Sequence, residues 1–173
     1  MKGLLAFLGF ALTVPAANWM IGHVGACSAA GPCVIPVGFG LHAPSGVLMI
    51  GLALVLRDIV HEEFNVVGAL AAITVGAVLS VLFAPPALVF ASMLAFVLAE
   101  LADLFVYMPL RARRLWLAVL ASGLAGSIVD SAVFLYIAFG SFDFIIGQVV
   151  GKMWMSIAAL PFVFAMRRKE LAR

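Results

Sequence analysis

Charge is scarce in this sequence. Of its 173 residues 10% are Asp, Glu, Lys or Arg, while 66% are apolar. An ordinary soluble domain carries about 25% charged residues. The chain therefore lacks the polar surface a water-facing globule needs, and soluble enzymes and disordered chains are excluded. Its ten cations are scattered around apolar runs and form no basic stripe, so no nucleic-acid partner is expected. Histidine is rare too: His23, His42 and His61 stand far apart, which excludes a His-based metal cluster. No cofactor motif and no nucleotide-binding loop are present. The apolar runs do not alternate in segments of about 10 residues, as a membrane β-barrel requires. Intramembrane proteolysis lacks its signatures as well. There is no Gly-x-Gly-Asp, and Ala43-Pro44-Ser45-Gly46 and Ala121-Ser122-Gly123 lack the first Gly of Gly-x-Ser-Gly. No enzyme, metal or cofactor is expected.

What the sequence has is long hydrophobic runs. A bilayer-spanning helix needs about 20 mostly apolar residues. Six runs qualify: residues 3–21, 43–64, 66–83, 86–108, 115–139 and 143–166. The expected fold is an all-α integral membrane protein of six transmembrane helices, a single membrane domain over 1–173. Lys2 before the first run suits a signal peptide, but apolar runs continue to the end, so residues 3–21 read as a membrane helix. Pro85-Pro86 marks the entry to the fourth helix. The one long connection, 22–42, holds five Gly, two Pro and both cysteines; it reads as a loop with room for a short hairpin. Whether Cys27 and Cys33 pair stays open.

The cations orient the helices. Lys2, Arg111, Arg113, Arg114, Arg167, Arg168, Lys169 and Arg173 fall at alternate connections, Arg57 lies toward the inner end of the second run, and Lys152 lies deep within the sixth. By the positive-inside rule both termini are cytoplasmic.

Ionisable groups at bilayer depth cost at least about 2.5–3.5 kcal/mol each and default to functional candidates. Glu100 and Asp103, Asp130, and Lys152 are the clear ones, with Arg57, Asp58, His61 and Glu62 near the inner end of the second run. At 1.5 Å per residue, Asp130 and Lys152 both lie about 14 Å from the outer end. They are expected to pair near the midplane. Glu100 lies about 21 Å from that end, with Asp103 one turn deeper on the same helix face. Ser92, Phe96 and Tyr107 extend that face. Gln148, Lys152 and Ser156 form a second stripe, and Ser127 with Asp130 a third. Asn18 is the polar group at depth on the first helix. Three polar stripes in an apolar bundle imply a central cavity. Its candidate binding residues are Glu100, Asp103, Asp130, Lys152, Asn18, Gln148, Phe96, Ser127 and Trp154, with Phe96 and Trp154 as stacking candidates.

The polar residues also follow a familiar order. Ala91-Ser92, Phe96, Glu100, Asp103, Phe105 and Leu110-Arg111 are followed by Trp116, Ser122, Asp130, Phe134 and Ile137-Ala138-Phe139, and then by Lys152 and Pro161. This pattern, with Asn18 and Asp58, resembles the VUT (YhhQ-like) family of queuosine-precursor transporters over about residues 14–162. Relatives often carry Gln where this chain has Glu100. The resemblance implies import of 7-cyano-7-deazaguanine or 7-aminomethyl-7-deazaguanine across a bacterial cytoplasmic membrane. The chemistry of the residues suits such a solute. A deazaguanine presents N1–H and a 2-amino group side by side, and one carboxylate can accept both. Glu100 and Asp103 are the expected readers of that edge, with Lys152, Gln148 or Asn18 donating to O6. The expected partners are this deazapurine and membrane lipid, with a homo-oligomer left open. The alternative is a substrate-binding subunit of an energy-coupling-factor transporter for a vitamin or nucleobase. A ligand-free structural membrane protein is the third reading.

Overall fold

The computed structural model describes residues 2–27, 31–84 and 86–171, with the side chains of all of these except 87 and 162–171. Pro85 and Arg173, and the side chains of Arg167, Arg168 and Lys169 used in the topology argument, lie outside the described residues. Five helices and one hairpin are built in the order α1 (Lys2–His23), β1 (Val34–Gly38), β2 (Leu41–Pro44), α2 (Val47–Phe83), α3 (Val89–Arg111), α4 (Leu115–Phe139) and α5 (Ile145–Leu171), with a 3-10 turn at Pro86–Leu88 before α3.

Helix α2 covers two of the expected apolar runs, and Asn65 breaks it between them. The backbone there adopts φ 58°, ψ −166°, a region that costs a residue with a side chain about 1–3 kcal/mol. The break reverses the chain. Gly46, just before α2, and Ser80, near its end, line one cavity, whereas a straight helix between them would be about 50 Å long. The 47–64 half runs antiparallel to α1: Gly3 lies against Glu63 and Phe64, Gly9 against Leu56, and Gly46 against the Ala17 carbonyl. The 66–83 half then returns, placing Ala69, Ala72 and Ile73 beside Phe10 and Phe96 in the main apolar core.

Among the described residues four helices, α1 to α4, are long and apolar enough to cross a membrane, and the Ile145–Pro161 part of α5 is a shorter apolar helix. Large apolar side chains such as Leu12, Phe105 and Leu5 face outward, each more than half exposed. In lipid such side chains carry no burial penalty, and the helical backbone satisfies itself. Helices α3 and α4 pack together, as do α1 and α2, with α5 against α2 and α4. Glycine permits the closest of these approaches. A Cβ on Gly51 would stand 2.6 Å from the Lys152 carbonyl, and one on Gly126 would stand 3.0 Å from the Asp103 Cβ.

The 22–42 connection contains more structure than a loop. Strands β1 and β2 form an antiparallel hairpin pairing Val34 with Pro44 and Ile35 with Ala43. Phe39 and Gly40 form the turn with φ of 54° and 72°, the left-handed pair that a tight hairpin turn needs. A disulfide joins Cys27 to Cys33, and Ser45 Oγ ties the hairpin's exit to the Met20 carbonyl at 2.6 Å. The hairpin sits over one end of the helices. The other end carries Glu62, Arg111, Arg113 and Arg114. The two ends are thus a hairpin end and an arginine end.

Candidate functional site

Two polar centres lie one above the other along the bundle. The first is a cavity of about 70 Å³ below the hairpin, with room for about five waters. Every helix contributes to its wall. Asn18 comes from α1, Ile50 and Ser80 from the two halves of α2, Ser92 and Phe96 from α3, Asp130 and Phe134 from α4, and Gln148 and Lys152 from α5. This convergence follows from the reversal at Asn65, which returns Ser80 to the level of Asn18.

The expected Asp130–Lys152 pair lies in that wall. Lys152 Nζ donates to Asp130 Oδ2 at 2.6 Å, to Ser131 Oγ at 2.7 Å and to Gln148 Oε1 at 3.1 Å. An ammonium has three protons, so Lys152 is saturated and buried. Asp130 is not saturated. Its Oδ1 has no hydrogen-bond partner among the described residues, and its side chain keeps 11% exposure. The amide nitrogen of Gln148 has no partner among the described residues either, since only its Oε1 is engaged. The cavity thus offers an acceptor from a carboxylate, a donor amide, the Asn18 amide and two aromatic rings. Phe96 is braced by Phe10, ring centroids 5.9 Å apart, and by Gly76, where a Cβ would strike its ring. Asn18 Nδ2 donates to the Val14 carbonyl at 2.9 Å, which fixes its side chain at the wall just past the Pro15 interruption of α1.

The second centre lies deeper, toward the arginine end. Glu100 and Asp103 do share one face of α3, as their spacing requires, but that face meets Arg57 of α2. Arg57 Nε donates to Glu100 Oε2 at 3.0 Å and Nη2 to Asp103 Oδ1, while Nη1 stands 2.9 Å from Asp58 Oδ1. The contact with Asp58 is an ion pair without a completed hydrogen bond on either atom; neighbours in sequence on a helix do not face each other. Arg57 is fully buried, and all three carboxylates are at most 2% exposed. Below them His61 packs on Tyr107, ring centroids 5.5 Å apart, and Tyr107 donates to Glu62 at 3.0 Å, which also pairs with Arg111 at 3.2 Å.

The structure therefore divides the expected site residues. Asp130, Lys152, Gln148, Asn18 and Phe96 come together around the cavity. Glu100 and Asp103 do not line it; a guanidinium occupies the edge on which the sequence placed the solute. Arg57, counted by charge among the connection cations, points into the bundle instead. Ser127 is buried with an unpartnered hydroxyl and lies outside the cavity wall. Trp154 is also outside: its indole N–H donates to the Val37 carbonyl at 2.8 Å and its ring stacks on Phe39. It fastens the hairpin to α5. Sequence reasoning missed Ser80 and Ser131. Ser131 follows Asp130 directly, and a lysine with three protons to place was the available signal. Ser80 became visible only with the reversal of α2. Among the described residues no three His, Cys, Asp or Glu side chains converge to hold a metal ion.

The comparisons with known proteins meet this geometry in its second half. A family model described as "Putative vitamin uptake transporter" matches residues 80–166, half of the chain. The matched stretch runs from Ser80 on the cavity wall through α3 and α4 into α5, and so includes Glu100, Asp103, Asp130 and Lys152. No curated protein and no solved structure matches the chain.

Proposed function

The chain belongs to this family of vitamin uptake transporters, a multi-pass membrane protein, and from that premise we propose that it imports a 7-deazaguanine, 7-cyano-7-deazaguanine or its 7-aminomethyl counterpart, through the cavity below the hairpin. The observation that carries the reading is the unpartnered Asp130 Oδ1, held in place by a saturated Lys152 and facing a cavity walled by Phe96 and Phe134.

The solute's needs match these groups. Its N1–H and 2-amino group want an acceptor, which Asp130 supplies. Its O6 wants a donor, which the Gln148 or Asn18 amide supplies. Its flat ring wants an aromatic wall. The recognition role assigned from the sequence to Glu100 and Asp103 passes to Asp130, because Arg57 already engages the two α3 carboxylates. Lys152 acts by orienting the Asp130 carboxylate. In this reading α2 counts as two of six membrane passes, and the positive-inside rule then supports a hairpin outside and both termini in the cytoplasm of a bacterial cell. Binding sites between helices near the membrane midplane are common among secondary transporters.

The test is a binding screen of the purified protein against guanine, both deazaguanine precursors, queuine and adenine. The deazaguanines should bind and adenine should not. Removing one charge-assisted acceptor in Asp130→Asn should weaken binding about 10–150-fold. Tighter binding of adenine than of any deazaguanine would sink the assignment. Uptake by this chain alone, in a host without an energy-coupling ATPase module, separates a self-sufficient carrier from a substrate-binding subunit.

A further inference from the structure

Resting on the transporter reading, we infer that the Arg57–Asp58–Glu100–Asp103 cluster is a proton-binding site whose proton moves with the solute. The charge of the cluster is unbalanced where that of the cavity pair is not. Asp130 and Lys152 neutralise each other. Arg57 faces three carboxylates, so with all four groups ionised the cluster would carry two uncompensated negative charges.

Among the described residues no neighbouring group corrects this. On α2 the cluster meets His61 and Glu62, and on α3 Tyr107 and Arg111. Arg111 is taken by Glu62 at the surface. On α4 the nearest ionisable side chain is Asp130, another acid, and on α5 it is Lys152, whose three protons are spent in the cavity wall. Helix α1 carries ionisable side chains only at Lys2 and His23. Buried uncompensated charge in a membrane is resolved by binding a proton.

Two further buried atoms point the same way. Asp103 Oδ2 and His61 Nδ1 have no completed hydrogen bond among the described residues, though both residues are at least 97% buried, and the Ser122 hydroxyl of α4 stands beside the Asp103 carboxylate. A protonated carboxyl needs one free oxygen, and Asp103 has it. A metal ion would need the space between the carboxylates, and the guanidinium fills it.

The surroundings supply an exit and a coupling. His61 lies one turn from Asp58 toward the arginine end. It packs on Tyr107, whose hydroxyl is bonded to the half-exposed Glu62. Titratable groups thus step from the cluster to the surface. The cavity and the cluster also share helices. Phe96 sits one turn from Glu100 on α3. On α4, Gly126 presses on Asp103 one turn before Asp130. A shift of α3 or α4 around a bound solute changes the spacing of carboxylates about Arg57, and with it their affinity for a proton. Solute and proton then raise each other's binding by the same factor.

The experiment uses the full chain in proteoliposomes, with 7-cyano-7-deazaguanine as solute, and two readouts. In the infrared spectrum at neutral pH the wild type should show the carbonyl stretch of a buried protonated carboxyl, weakened in Asp103→Asn. Absence of that band from the wild type overturns the proton site, whatever transport shows. In transport, an interior more alkaline by one pH unit should drive about tenfold accumulation per coupled proton, and a sodium gradient none. Asp103→Asn should lower this accumulation as it weakens the band. Wild-type protein that equilibrates solute but never accumulates it under a pH gradient overturns the coupling and leaves the solute assignment standing. The band without any solute movement overturns the solute assignment and the coupling, and leaves proton binding standing. Both wild-type readouts decide even if a variant fails to fold.

Discussion

The cavity and the arginine cluster are each built on a buried cation paired with carboxylate, with different results. In the cavity one lysine meets one aspartate, and Ser131 and Gln148 take the remaining protons. The carboxylate is left with an oxygen free to face a solute. In the cluster one arginine meets three acids, and its planar fork binds two of them on separate nitrogens. Solvent is shut out on every side. A balanced pair beside open space is suited to recognition. An unbalanced group in closed packing is suited to holding a proton.

The largest expected effect removes the hub of the cluster. Arg57→Met strands up to three buried carboxylates, and breaking a buried pair costs about 3–5 kcal/mol. Folded yield and detergent thermal stability should collapse. Survival of this variant with near-normal stability would show that the acids are already fully protonated around Arg57.

Next comes the cavity pair. Lys152→Met and Asp130→Asn should each cost up to about 3–5 kcal/mol of stability or binding, with a double mutant less than additive. Additive losses in well-folded proteins would break the claim of contact. Lys152→Met should also misorient Asp130 and weaken solute binding, which a titration would register apart from stability.

A smaller effect is expected where the two centres share packing. Gly126→Ala puts a Cβ 3.0 Å from the Asp103 Cβ and 3.2 Å from the Ala99 carbonyl. Overpacking of this kind typically costs about 1–3 kcal/mol. Under the coupling inferred above, it should disturb pH-driven accumulation more than solute affinity. An unchanged accumulation ratio in a folded variant would argue that α4 does not link the centres.

The smallest effect concerns the reversal that brings Ser80 to the cavity. Asn65→Gly relieves an unfavourable backbone region and should be neutral or raise stability by up to about 1–3 kcal/mol. Asn65→Val should lower stability, as thermal unfolding would report.

The sequence by itself determined the lengths of the apolar runs, because a helix that spans lipid must be apolar for about 20 residues. It determined the matched depth of Asp130 and Lys152, because rise per residue is constant along a helix. It also determined that Glu100 and Asp103 share a face, since residues three apart always do. Whether two cysteines six positions apart join was beyond it. The hairpin was allowed for in the 22–42 connection, but its strands of five and four residues are too short to fix its bounds.

Only the tertiary structure decided what each face meets. Helix spacing leaves free the rotation of a helix about its axis and the choice of its neighbour. Arg57 sits near the end of an apolar run, where charge alone reads as a connection cation; the antiparallel packing of the 47–64 half turned it onto α3. That contact diverted Glu100 and Asp103 from the cavity, and the return of the chain at Asn65 brought Ser80 into it. Periodicity is local and was legible, whereas the partner of a buried charge is set by which helices pack together.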